Sequence, residues 1–248
     1  MAAMIYLFTD FGGNGPYVGQ VKAVLAAAAP GVPVIDLAHD APVFEHKASA
    51  YLLAALADRL PAAGVVLGVV DPGVGRTDRR PVVVRAGRFW YVGPDNGLFA
   101  VAAKHAGDAA WWQITWRPER LSSTFHGRDL FAPVAAMLAR GEDVPGRPIA
   151  AEGAAGMGWP DDLGEVIYLD HYGNAMTGIR ASTLPDDAIL KIGDVRVRRA
   201  LTFADVGLGQ AIWYENSCGL VEVAMNRADA AAVMRLTVGD HVLAIALT

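Results

Sequence analysis

The chain has 248 residues, 53% of them hydrophobic and 19% charged, with a formal net charge of −5. That is enough apolar material for one large or two small domains with their own cores, and the acidic balance leaves no electrostatic footprint for nucleic acid. The single cysteine, Cys218, excludes an internal disulfide framework. No basic-then-apolar leader is visible and no apolar run approaches the ~20 residues that span a bilayer, so a soluble, cytoplasmic protein is expected.

In chain order, Ile5–Phe8 reads as a short buried strand. Val18–Ala29 is an Ala-rich helix stopped by Pro30-Gly31. Pro33–Leu37 is the next strand, with Asp36, His39 and Asp40 at its end, and Glu45–Leu60 has the 3.6-residue spacing of a helix, stopped by Pro61. Val65–Val70 is a third strand, and Val82–Arg85 with Trp90–Val92 form a pair around Ala86-Gly87. Gly93 to Gly97 is a turn, followed by helices over Leu98–His105 and Asp129–Arg140. Strands alternating with helices predict an α/β domain with a mostly parallel sheet covered on both faces.

The character changes after Arg140. Residues 141–162 are rich in Gly, Pro, Ala and Asp, so the N-terminal domain is placed at 1–150, a linker at 151–162 and a smaller second domain at 163–248. There, short runs recur between turn residues: Gly164–Leu169, Ala188–Ile192, Val195–Arg198, Ala211–Tyr214, Leu220–Val223 and Leu243–Leu247. This pattern predicts a small antiparallel β-domain.

The candidate chemistry sits where strands end. In open α/β sheets ligands bind outside the carboxyl ends of strands, and Val65–Val70 ends at Asp71-Pro72-Gly73-Val74-Gly75. Thr9-Asp10-Phe11-Gly12 follows the first strand, and Ser123 to Asp129, with His126 between Phe125 and Gly127, precedes a helix. Asp10 and Asp129 also suit plain turn or helix-capping roles. Gly13-x-Gly15 lacks the third glycine of a dinucleotide fingerprint, and Pro16 interrupts it. His39, Asp40, His126, Asp129 and Asp10 show no local ligand spacing, so no metal is expected. No G-x-S-x-G elbow is present, and Cys218, in a turn before a strand, reads as inert. Asp170 to Asn174, and Asn216-Ser217-Cys218-Gly219 with Asn226, are polar clusters in apolar surroundings; Asn offers donor and acceptor together, which suits a purine edge, although Asn and Gly also simply make turns.

Taken in order, these stretches, with Tyr17-Val18-Gly19, Lys22 and Val92 to Gly97, resemble the S-adenosylmethionine hydrolases (S-adenosylmethionine hydroxide adenosyltransferases), relatives of the fluorinases and chlorinases. The resemblance covers nearly the whole chain. It implies an N-terminal α/β domain, a C-terminal β-barrel and a homotrimer with active sites between subunits. It further implies S-adenosylmethionine as substrate; no cofactor and no membrane or nucleic-acid partner is expected. On this resemblance Asp10 holds the ribose hydroxyls, Asp170 and Asn174 face the methionine and adenine ends, Phe203 lies against the adenine, Ser217 is near the methionine, and Asn226 completes the binding set. The catalytic set is Asp71, an arginine and His126. The family's arginine usually stands seven positions after the aspartate, where this chain has Asp78; Arg79 is assigned, with Arg80 and Arg76 as rivals. The acid often found five residues after the first aspartate is Gly15 here.

The residue types suit the chemistry. A sulfonium leaves as a neutral thioether and needs no general acid, whereas water must be aligned behind the 5′ carbon and relieved of a proton. His126 can accept a proton near neutral pH, Asp71 can orient water or histidine, and Arg79 can hold developing hydroxide. Sequence leaves the proton acceptor open. A halogenase would need a halide cage and no water-activating histidine; a non-catalytic S-adenosylmethionine-binding protein would not need the catalytic set.

Overall fold

The computed structural model describes residues 4–75 and 79–245. Its elements in chain order are β1 (Met4–Thr9), α1 (Pro16–Ala28), β2 (Val34–Ala38), α2 (His46–Arg59), β3 (Gly64–Val69), β4 (Pro81–Ala86), β5 (Phe89–Pro94), α3 (Ala100–Ala106), β6 (Ala110–Ile114), α4 (Ala132–Ala139) and β7 (Gly146–Ile149). There follow β8 (Leu163–Leu169), β9 (Ala175–Arg180), β10 (Ile189–Ile192), β11 (Val195–Arg199), β12 (Ala211–Glu215), β13 (Leu220–Met225), α5 (Ala230–Met234) and β14 (Val242–Ile245). The chain divides into two compact units: the first runs to Trp159 without Ala55–Arg59, and the second takes those residues and the chain from Pro160 onward.

The first unit is built on a seven-stranded sheet in the order β2-β1-β3-β5-β4-β6-β7. The pairings among β2, β1, β3 and β5 are parallel, and those from β5 through β4 and β6 to β7 are antiparallel. The expected mostly parallel sheet is therefore corrected to a mixed one. The physical reason is the connection length: β4 and β5 are joined at Gly87, whose φ of +55° suits a tight hairpin, and two residues leave no room for the helical crossover a parallel pair requires.

The apolar strands make the core on which α1 and α4 lie. Ile5, Leu7, Val65, Leu67, Val83 and Val92 pack with Val21, Leu25, Val134 and Leu138. Pro16 opens α1 with its φ preset and no orphaned N–H. Two glycines in β3 and β5 are required by packing: a Cβ on Gly93 would stand 2.1 Å from the Gly68 carbonyl oxygen, and one on Gly68 would stand 2.7 Å from the Phe99 ring.

Residues 141–162 contain β7, which pairs with β6, and Trp159, whose ring would lie 2.4 Å from a Cβ on Gly97. The second unit is a seven-stranded sheet in the order β14-β10-β11-β12-β13-β9-β8, antiparallel except at β11–β12. The sheet curls until its edges meet through a bridge between Glu165 and His241, so it is nearly barrel-shaped. Its core is made by Val166, Leu190, Val197, Trp213, Val221 and Val223. No helix among the described residues is long and apolar enough to cross a membrane.

Candidate functional site

Three parallel strands of the first sheet deliver acids at their carboxyl ends: Asp10 after β1, Asp71 after β3 and Asp95 after β5. Asp71 Oδ1 accepts the Gly73 N–H at 3.0 Å and is paired with the Arg79 guanidinium. Both side chains are largely buried, so this pair lies inside the loop rather than on its surface. Burial lowers Arg79 from its ordinary value, opposed by the charge of Asp95; an arginine so shifted is still a cation at neutral pH.

The neighbouring Arg80 has a different task. It donates from Nε and Nη2 to Asp95 Oδ2 at 3.0 and 2.6 Å, and from Nη2 to the Gly153 carbonyl at 3.0 Å. Asp95 Oδ1 accepts the Ala155 N–H at 3.0 Å. Arg80 is thus occupied in tying the strand end to residues 153–155. Arg76, the third arginine considered, and Asp78 lie outside the described residues.

His126 opens a π-turn, Gly127–Phe131, that leads into α4. The helix-capping role open to Asp129 is not used. The N-cap of the π-turn is His126 and that of α4 is Phe131, neither with a side-chain cap, and Asp129 instead closes the preceding loop. It accepts the Ser122 N–H at 2.9 Å and the two-pronged donation of Arg128 at 2.6 and 3.0 Å. Arg128 also reaches Gln20 on α1 at 2.7 Å and lies over the Phe125 ring. The Asp71 loop packs against this one: Gly75 has φ +85°, and a Cβ there would be 2.8 Å from the Ser123 carbonyl oxygen. The two loops therefore bring Asp71, Arg79 and His126 to the lining of one pocket of about 210 Å³, with Arg80 and Arg117.

Burial, and then the charge of Arg117, lower the His126 pKa; Asp129 opposes them. At neutral pH the imidazole is therefore the free base, able to accept a proton. Arg117, anchored on the carbonyls of Ile114 and Trp116 at 3.0 and 2.7 Å, was not singled out from sequence. With three arginines and one carboxylate in its lining, the pocket is basic.

Asp10 is held separately. Its Oδ2 accepts the Phe44 N–H at 3.4 Å, and burial raises its pKa. Beyond it, the rings of Phe11, Tyr17 and Phe125 meet with centroids 5.4 to 6.2 Å apart, Phe125 edge-on to the other two. His39 is occupied structurally, with Nδ1 at 2.8 Å from Thr9 Oγ1 and Nε2 facing Asp36. Among the described residues no three His, Cys, Asp or Glu side chains converge as metal ligands.

The second unit has its own pocket, of about 930 Å³, and Asp170, Asn174, Phe203, Ser217 and Asn226 all line it. Asp170 organises its own turn: Oδ1 accepts the N–H groups of Tyr172 and Asn174 at 2.8 Å each, and Oδ2 accepts Asn174 Nδ2 at 2.9 Å. Asn226 Nδ2 donates to the Val206 carbonyl at 2.9 Å. Phe203 meets the Tyr214 ring edge-on at 5.6 Å and is 40% exposed, leaving aromatic surface for a ligand. Cys218 is half-buried beside Ser217, with its sulfur 3.9 Å from the serine Oγ.

The pocket's floor is a row across three strands. Tyr214 on β12 is opposite Glu222 on β13, which is opposite Met176 on β9. Glu222 is buried; it accepts hydrogen bonds from the Tyr214 hydroxyl and from Asn216 Nδ2. Sequence reading missed this row. Three acids and Arg227 line the pocket, which is therefore acidic where the other is basic.

Known proteins match over the same span. A model of the SAM hydroxide adenosyltransferase N-terminal domain matches residues 5–146, and the C-terminal domain model of that family matches 164–243. A Thermus thermophilus protein named (R)-S-adenosyl-L-methionine hydrolase is 40% identical, covering 95% of this chain and 96% of its own. One of the same name from Salinispora arenicola is 40% identical over 94% of each. The crystal structure of an uncharacterized conserved protein from Thermotoga maritima superposes with a TM-score of 0.88 at 31% identity, covering 98% of this chain and 100% of its own.

Proposed function

The chain belongs to the SAM hydroxide adenosyltransferase family, and on that premise we propose that it hydrolyses S-adenosyl-L-methionine to adenosine and L-methionine. The observation that carries this reading is the opposite character of the two pockets. An acidic pocket with an exposed aromatic ring suits a cationic nucleoside. A basic pocket holding a free-base histidine beside an Asp–Arg pair suits water on its way to hydroxide.

In the proposed reaction a water oxygen forms a bond to the ribose 5′ carbon as the carbon–sulfur bond breaks. The bonding pair goes to the sulfonium sulfur, which leaves as the neutral thioether of methionine, and the water proton passes to His126. Asp71, already engaged by Arg79 and Gly73, orients rather than accepts. Arg79 stabilises the developing negative oxygen. Aligning the nucleophile is a large contribution in itself, with effective molarities of ~10⁵ M or more in good cases. No metal or cofactor enters the scheme.

Phe203, Asn174 and Asn226 hold the adenine, Asp10 the ribose hydroxyls, and Asp170 and Ser217 the methionine. The curled second sheet is the family's β-barrel, and the protein works as a cytoplasmic homotrimer in which one copy's basic pocket serves substrate held by a neighbour. Mass detection of products with and without chloride tests the reading. Adenosine and methionine in both buffers are expected; 5′-chloro-5′-deoxyadenosine as the main product in chloride would make the protein a halogenase.

A further inference from the structure

Glu222 is 3% exposed, yet it lies on the pocket side of β13. Its neighbours Val221 and Val223 point the other way, into the core of the second sheet. A buried carboxylate is costly unless its charge is compensated. Here the compensation is incomplete: the partners on its two oxygens are the Tyr214 hydroxyl and the Asn216 amide, both neutral. The described residues place no lysine or arginine in an ion pair with it.

Each carboxylate oxygen accepts about two hydrogen bonds, so each has room for one more donor. The pocket's other charges, Asp170 and Asp229 against Arg227, add to the negative field rather than cancel it. Tyr214 stays a phenol, its pKa raised by burial and then by Glu222, so the carboxylate is held in place by donors that do not neutralise it. A ligand group that completes this arrangement is a cation with several N–H donors. Of the positive centres on S-adenosylmethionine, the sulfonium has no N–H, whereas the α-ammonium has three.

We propose that Glu222 binds the α-ammonium group of the substrate and is the residue that distinguishes amino-acid-bearing nucleosides from those without the amine. The proposal rests on the hydrolase reading above. The aromatic and amide groups of the pocket grip the base, which any adenosyl compound shares, and Glu222 reads the far end.

The test compares S-adenosylmethionine with its desamino analogue by calorimetry and initial rates, on the full chain and on Glu222→Gln, which keeps the side chain's shape without its charge. The native protein is expected to bind S-adenosylmethionine about tenfold or more tighter than the analogue, the scale of a hydrogen bond to a charged group. Glu222→Gln should lose that preference: KM for S-adenosylmethionine rises about tenfold, the analogue's affinity is unchanged and kcat is retained. Equal weakening for both ligands, or none for either, would overturn the assignment. The native protein's own preference is a second readout independent of any variant, and its absence would equally overturn it. Failure of the native protein to bind S-adenosylmethionine at all would instead overturn the hydrolase reading.

Discussion

His126→Ala separates chemistry from binding. The side chain is half-buried and makes no capping hydrogen bond to the π-turn it opens. Its removal therefore leaves the clasp of Ser122, Arg128 and Asp129 intact, and the loop should keep its shape. If the imidazole takes the water proton, its loss removes an interaction made only as water attacks. Removing a positioned general base costs roughly 10²- to 10⁴-fold, and 10²-fold is about 2.7 kcal/mol on the barrier. The variant should bind S-adenosylmethionine nearly as the native protein does while kcat falls at least ~10²-fold. Asp10→Ala, by contrast, should raise KM with kcat nearly unchanged, because ribose contacts are common to ground and transition states. Burial and Arg117 hold the His126 pKa below 6.5, and the neutral ring is the active form. Activity should therefore rise with pH through a limb below pH 6.5 and be level by neutrality, and His126→Ala should lack that limb. Steady-state rates from pH 5 to 9, with calorimetry on both variants, make the measurement. A His126→Ala enzyme at the native rate, or one that fails because it cannot bind, would refute the reasoning.

Adjacent arginines should differ in turnover. Each pairs with a largely buried carboxylate, so Arg79→Met and Arg80→Met should both lower the melting temperature, but only Arg79→Met should lower kcat of the folded protein; thermal melts paired with rates would show it. Gly93→Ala should abolish soluble folded protein, because its Cβ would meet the Gly68 carbonyl oxygen at 2.1 Å; circular dichroism checks this. Light scattering at micromolar concentration should give about three times 26.2 kDa, and a fully active monomer would refute the shared-site proposal.

The apolar runs of β1 and β3 were readable because both are buried on both faces, and the β4–β5 hairpin because Gly87 marks its turn. What escaped was structure without a local signal. β6 begins after a Gly-Asp turn and contains two tryptophans and a glutamine rather than alternation. β9 is interrupted by Gly178, present because a Cβ would stand 2.6 Å from Leu163. The π-turn at 127–131 has no sequence mark at all. In the second unit the polar clusters pointed to the pocket, yet Glu222 was not singled out, since nothing in its alternation with Val221 and Val223 reveals that the opposite face is a pocket floor. Arg79 and Arg80 were indistinguishable as letters; only their partners, Asp71 and Asp95, separate them.

The most direct test of the central claim is hydrolysis of S-adenosylmethionine in ¹⁸O-enriched water. Attack of water on the 5′ carbon places the label in the 5′ hydroxyl of the adenosine, seen by mass spectrometry as a shift of the nucleoside with unlabelled methionine beside it. Adenosine without label, or no adenosine at all, would contradict it.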